Sequence, residues 1–194
     1  MYQLLMSGTV WGRFLQVVPI TCLIGIVYAI LRYIHIKKRQ ITTVWGIEIA
    51  RGLFVCYLIG LINLTLVPSN FWSYIWAHIF IGYSGSEIIL FNGEFNLIPS
   101  IIKILMGELT IGSWVKTMLV GNLLMFIPFG FFLPIVTNRV NAHNVVKFSI
   151  TIPVVIEIIQ PIVSRSFDID DIIMNFVGIM IGYFMLMGLK LIAR

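Results

Sequence analysis

Ile172-Ile173-Met174-Asn175-Phe176-Val177-Gly178-Ile179-Met180-Ile181-Gly182-Tyr183-Phe184-Met185-Leu186-Met187-Gly188-Leu189 runs for eighteen residues without a charge, between Asp171 and Lys190. A helix rises 1.5 Å per residue, so about twenty residues of this kind cover the roughly 30 Å of bilayer hydrocarbon. Four more apolar runs precede it, over residues 14–34, 46–67, 113–136 and 148–163. The chain has 194 residues, 59% of them hydrophobic and 11% charged, with a mean hydropathy of +1.01. Too few charges remain to cover a soluble domain of this size. The expected fold is an all-α membrane protein, a bundle of about five transmembrane helices forming a single membrane domain over residues 1–194. The first run reads as a retained helix, because no basic stretch and no small-residue cleavage site mark a leader.

The net charge of +5 does not point to nucleic acid. Basic residues cluster at the ends of the apolar runs, as Arg32, Lys37, Lys38 and Arg39 do around the end of the first and Arg139 and Lys147 before the fourth. Membrane orientation accounts for them. With the 37–39 loop inside, the Arg139/Lys147 loop and the Lys190/Arg194 tail are also cytoplasmic, and the N-terminus is outside. Residues 69–112 and 164–171 then face outward and carry Glu87, Glu94, Glu108, Asp168, Asp170 and Asp171. Cys22 and Cys56 fall inside spans with no metal-spaced partner, and read as small packing residues.

The outward segment has structure of its own. Trp72, Ile75, Trp76, Ile79 and Phe80 repeat at helical spacing, which predicts an amphipathic helix at the headgroup boundary. Asn92-Gly93 between residues 87–91 and 94–98 predicts a small β-hairpin, and residues 101–109 a short helix.

An ionisable residue inside a span is costly and is therefore a functional candidate. Glu157 stands in the fourth run with Gln160 and Ser164 on its face, and Pro161 cannot supply the N–H that the Glu157 carbonyl would accept. Counted at 1.5 Å per residue, Glu157 and Asn122 lie about 10 Å below the outer face and Asn175 about 6 Å. Three helices thus bring polar groups to one level, beneath Arg165, Asp168, Asp170 and Asp171. Arg165 suits a phosphate or carboxylate, or pairs with Glu157. Asp168 is also a natural helix cap. Asp168, Asp170 and Asp171 together form a candidate divalent-cation site. Asn122 and Asn175 serve equally well as interhelical hydrogen-bond partners, and Gly178 and Gly182 permit close helix approach. No Cys/His cluster, Gly-rich phosphate loop or Ser-His-Asp set can be assembled.

Four motifs, Asn96-Leu97-Ile98-Pro99, Gly121-Asn122-Leu123-Leu124-Met125-Phe126-Ile127-Pro128-Phe129-Gly130, Glu157-Ile158-Ile159-Gln160 and Arg165-Ser166-Phe167-Asp168-Ile169-Asp170-Asp171-Ile172-Ile173-Met174-Asn175, resemble in order the VanZ-like family. That family is named for a bacterial membrane protein associated with resistance to the glycopeptide teicoplanin. The resemblance covers about residues 45–190 and places the family's polar positions on Asn96, Asn122, Glu157, Gln160, Arg165, Asp168, Asp170, Asp171 and Asn175. Ser100 stands where the family commonly has an aromatic. The resemblance implies a bacterial cell-membrane location and points to glycopeptide resistance.

The expected function is binding of an amphiphile in an outward-facing polar pocket: a membrane lipid, a lipid-linked envelope component, or the lipoglycopeptide antibiotic itself. Asn96, Asn122, Glu157, Gln160, Arg165, Asp168, Asp171 and Asn175 would meet it. The alternative is an enzyme modifying an envelope lipid or polymer, with Glu157 as general base. A transporter is disfavoured, since the polar residues gather at one depth instead of lining a path.

Overall fold

The computed structural model describes residues 10–68, 70–82, 88–107, 112–137 and 141–193; Ser69, Glu87, Glu108, Arg139 and Arg194 lie outside them. Among the described residues five helices are long and apolar enough to cross a membrane, spanning Leu15–Arg39, Trp45–Leu66, Thr117–Val136, Ala142–Val163 and Ile169–Ile192. The chain is a multi-pass helical membrane protein. It forms two compact units: Met1–Asn92 with Ile162–Arg165, and Gly93–Pro161 with Ser166–Arg194.

The first unit holds α1 (Val10–Arg39), α2 (Trp45–Leu66) and α3 (Phe71–Ile81). Helix α1 continues through its basic residues because lysine and arginine are good helix formers and favour a helix C-terminus. It stops at Gln40, whose φ of 50° is left-handed, and the Ile41 N–H closes back on the Ile36 carbonyl at 3.2 Å. That tight end returns α2 alongside α1. The aromatic segment forms the expected helix. Its tryptophan N–H groups are tied inward, Trp72 to the Asn63 Oδ1 at 3.0 Å and Trp76 to the Gln16 carbonyl at 3.1 Å, while Ile79 and Phe80 stay exposed.

The second unit holds β1 (Phe95–Asn96), α4 (Ser100–Leu105), α5 (Ser113–Val136), α6 (Ala142–Ile159), β2 (Phe167–Asp168) and α7 (Ile169–Ile192). Helices α5 and α7 pack closely enough to need glycine. A Cβ on Gly178 would meet the Leu123 carbonyl, one on Gly182 the Ile127 carbonyl, and one on Gly130 the Ile179 carbonyl. Helix α6 begins at Ala142, six residues earlier than its apolar run, with Asn141 accepting from the Asn144 N–H at 2.9 Å. Its α-helical part ends at Ile159, and Gln160–Val163 form a 3₁₀ turn; Pro161 removes the N–H that a further α-turn needs.

The small two-stranded element is present, with a different pairing. Phe95 lies opposite Phe167 and Asn96 opposite Asp168, in parallel, and among the described residues no hairpin is turned at Asn92-Gly93. The described residues before that pair direct their donors elsewhere. The Phe91 N–H goes to the Ile162 carbonyl at 3.0 Å and the Asn92 N–H to the Ser164 Oγ at 3.3 Å. Parallel strands need a long crossover, here the stretch containing α5 and α6. Phe95 and Phe167 stack with ring centroids 5.8 Å apart.

Candidate functional site

A network of polar side chains in the second unit is built outward from the β1–β2 pair. Glu157, near the end of α6, is fully buried at 0% exposure, yet it stands in an apolar membrane span. A carboxylate in that position requires donors. The backbone N–H of Asp168 donates to Glu157 Oε2 at 2.9 Å. Gln160 supplies the rest: with its amide nitrogen turned toward these acceptors it reaches both Glu157 oxygens at 3.0 and 3.2 Å and the Ser166 carbonyl at 2.9 Å. The amide orientation follows from its neighbours, since the reverse would set oxygen against oxygen.

Asp168 is the hub. It is the N-cap of α7, its Oδ1 accepting from the Asp170 N–H at 2.9 Å, so the capping role read from the sequence is real. Its Oδ2 accepts from Asn96 Nδ2 at 2.8 Å, which fixes the β1 side chain to the start of α7. The Asn96 Oδ1 in turn accepts from Lys103 Nζ at 2.5 Å. Asp170, 9% exposed, accepts from the Ser100 N–H at 2.8 Å. The unusual serine after Asn-Leu-Ile-Pro therefore contributes through its backbone, where side-chain identity matters least. Asp171 accepts from Asn122 Nδ2, joining α7 to α5.

The residues singled out from sequence are thus distributed unequally. Asn96, Glu157, Gln160, Asp168 and Asp170 belong to one connected network, and Asn122 meets Asp171 in the same unit. Asn175 lies one helical turn below Asp171, 2% exposed, and its Oδ1 has no hydrogen-bond partner among the described residues. Arg165 falls in the first unit, where it lines a small cleft with Gln16, Asn63 and Trp72. The three aspartates each turn to a different donor, and among the described residues no group of three or more His, Cys, Asp or Glu is placed to hold a metal ion.

Lys103 and the Ser100 N–H escaped sequence reasoning. Lys103 is the one basic residue between Asn96 and Gly112, on a segment read only as an interfacial helix. Its charge against so many carboxylates was the available signal.

The network has a floor and a rim. Glu157, Gln160, Asp170 and Asn175 are buried, whereas Asn96, Lys103, Asn122 and Asp171 are partly exposed. Apolar side chains stand exposed in the same unit: Leu97, Ile98, Ile101, Leu105 and Ile173. Such an arrangement offers acceptors and a cation for a polar head and apolar surface for a chain.

Among known proteins, the family model described as VanZ/LLP1 matches residues 54–192. No curated protein and no solved structure matches the chain.

Proposed function

The chain belongs to the VanZ/LLP1 family, and from that premise we propose that it binds the polar head of an envelope amphiphile at the network built on Glu157 and Asp168. The ligand is a membrane lipid, a lipid-linked envelope component or an acyl-bearing glycopeptide such as teicoplanin. Capture of the last would give a bacterial cell a route to glycopeptide resistance. The site faces outward, with the N-terminus outside and the 37–39 loop and C-terminus in the cytoplasm, an orientation supported by the basic residues at the ends of the spans.

One observation supports this reading above the others. A fully buried carboxylate in a membrane span is tied through Asp168 to a partly exposed rim on two further segments, at Asn96 and Lys103. Apolar residues would pack a helix bundle at lower cost, since buried polar groups add little net stability. Their presence favours recognition. Lys103 suits phosphate or carboxylate, while Asn96, Asn122 and Asp171 accept from hydroxyl or amine groups. Asn175 supplies a buried acceptor that no donor meets among the described residues.

Binding fits these residues better than catalysis. Both oxygens of Glu157 already accept hydrogen bonds from the protein, so its carboxylate holds the network together instead of presenting a base. The test is equilibrium binding of fluorescent teicoplanin, and in parallel a fluorescent lipid-linked envelope precursor, to the protein in nanodiscs. Asn122→Ala and Asp171→Asn are expected to weaken at least one ligand about tenfold, as loss of a hydrogen bond to a charged group does. Unchanged affinity for both ligands in both variants would remove the proposal.

A further inference from the structure

Away from that network, in the first unit, a second charged cluster closes the α1–α2 hairpin. Arg32, in α1, makes a two-point contact with Glu48 of α2, its Nε 2.7 Å from Oε2 and its Nη2 2.9 Å from Oε1. Arg51, one turn on, donates to the same Oε1 through Nη1. The Glu48 side chain is 9% exposed, while those of Arg32 and Arg51 are 28% and 29% exposed. One sheltered carboxylate therefore fixes two guanidinium groups side by side and leaves the outer edge of each in reach of solvent or lipid.

The charge does not balance. Glu48 is the only acidic residue in the first 86 positions, and Arg32, Lys37, Lys38, Arg39 and Arg51 surround it in sequence. Lys37, Lys38 and Arg39 are exposed, in the last turn of α1. Glu48 can neutralise only one of the paired guanidiniums. Each guanidinium carries donors beyond those spent on Glu48, and such donors suit phosphate oxygens. Trp45 and Val44 stand exposed at this hairpin end, at 62% and 67%, and an indole there sits at headgroup depth. The phosphate that these donors would meet is one carried at the membrane surface.

We infer that the Arg32–Glu48–Arg51 cluster is a headgroup site for an anionic phospholipid, with Lys37, Lys38 and Arg39 adding long-range attraction. Positive-inside orientation asks only for charges near a helix end. It does not ask for two arginines joined by a shared, sheltered carboxylate. Glu48 is a positioning residue, and Arg32 and Arg51 make the contact. This site is independent of the proposed amphiphile network, whose failure would leave it standing.

The experiment compares the full-length protein in nanodiscs of phosphatidylcholine alone and of phosphatidylcholine with phosphatidylglycerol. Thermal unfolding and lipid retention in native mass spectrometry are read together. The wild type is expected to unfold at a higher temperature with phosphatidylglycerol and to retain it about tenfold more strongly than Arg51→Gln does. Arg51→Gln, which also loses a bond to Glu48, is expected to fall below wild type by a smaller margin in phosphatidylcholine than in the mixed disc. Lys190→Gln, at the end of α7, is expected to keep the full phosphatidylglycerol effect. Inorganic phosphate added to phosphatidylcholine discs is expected to do nothing, which separates a lipid headgroup from a free anion. The inference is overturned if Arg51→Gln retains the phosphatidylglycerol effect, or loses stability equally in both discs, or if Lys190→Gln abolishes the effect as well. Should Arg51→Gln not fold, the double variant Lys37→Gln/Lys38→Gln takes its place, with a reduced phosphatidylglycerol effect expected and an unchanged one overturning the inference.

Discussion

Glu157 is held by donors from two directions, the Asp168 backbone N–H and the Gln160 amide, and its replacement separates charge from hydrogen bonding. Glutamine keeps an acceptor for the Asp168 N–H, whereas leucine leaves both donors buried and unmatched. An orphaned buried donor costs about 1–3 kcal/mol. Glu157→Leu is therefore expected to lose about 2–4 kcal/mol relative to wild type, and Glu157→Gln clearly less, read by thermal unfolding in detergent. Equal losses would mean that the carboxylate's charge, not its hydrogen bonding, holds the network. At this scale much of the site was legible in the sequence. A carboxylate in a span is conspicuous because hydrocarbon punishes it, and Asp168 announced itself by its place before an apolar helix. What could not be read was which partner each group takes. Asn122 was expected at the depth of Glu157 and Asn175 but pairs with Asp171, and Lys103 reaches Asn96 from a helix whose sequence suggests only surface attachment. Partner choice depends on side-chain direction, which spacing along one helix does not determine.

Among the helices, the contact of α5 with α7 rests on three glycines whose missing Cβ atoms make room for backbone carbonyls. Gly182→Ala forces the helices apart and is expected to destabilise by about 1–3 kcal/mol, as overpacking does. Gly121 lies on α5 with nothing within 4 Å of a Cβ placed there. Gly121→Ala is expected to be neutral or to raise stability by up to about 1 kcal/mol, the difference in helix propensity. A comparable loss in the two variants, by thermal unfolding, would show that helix propensity and not close approach sets the cost. The long helices were legible because hydrocarbon demands length and apolarity from each, and Gly178 and Gly182 because small residues recur where membrane helices touch. The β pairing was not. Asn92-Gly93 is a strong local turn signal, but Phe91 and Asn92 donate to Ile162 and Ser164, and Phe95–Asn96 finds its partner in Phe167–Asp168. A tertiary pairing across three helices outweighs a local preference, and no local pattern records it.

For the molecule as a whole, five apolar helices and membership in the VanZ/LLP1 family make a membrane setting certain, and the proposed orientation gives it a direction. Cys22 and Cys56 are both free thiols, so a variant lacking them can carry single reporter cysteines. An impermeant maleimide applied to intact cells is expected to label Asn92→Cys and to spare Lys38→Cys until the membrane is opened. The reverse pattern would invert the orientation and move the network to the cytoplasmic side. The decisive measurement for the proposed binding function is photo-crosslinking in living cells from position 97, where Leu97 is 60% exposed beside Asn96, with Leu189, 54% exposed on α7, as the control position. Mass spectrometry of the adducts is expected to find one envelope amphiphile enriched at 97 over 189, and to lose that enrichment in Asp171→Asn. Only bulk phospholipid at both positions, in equal proportion and indifferent to Asp171, would contradict a head-group site at this network.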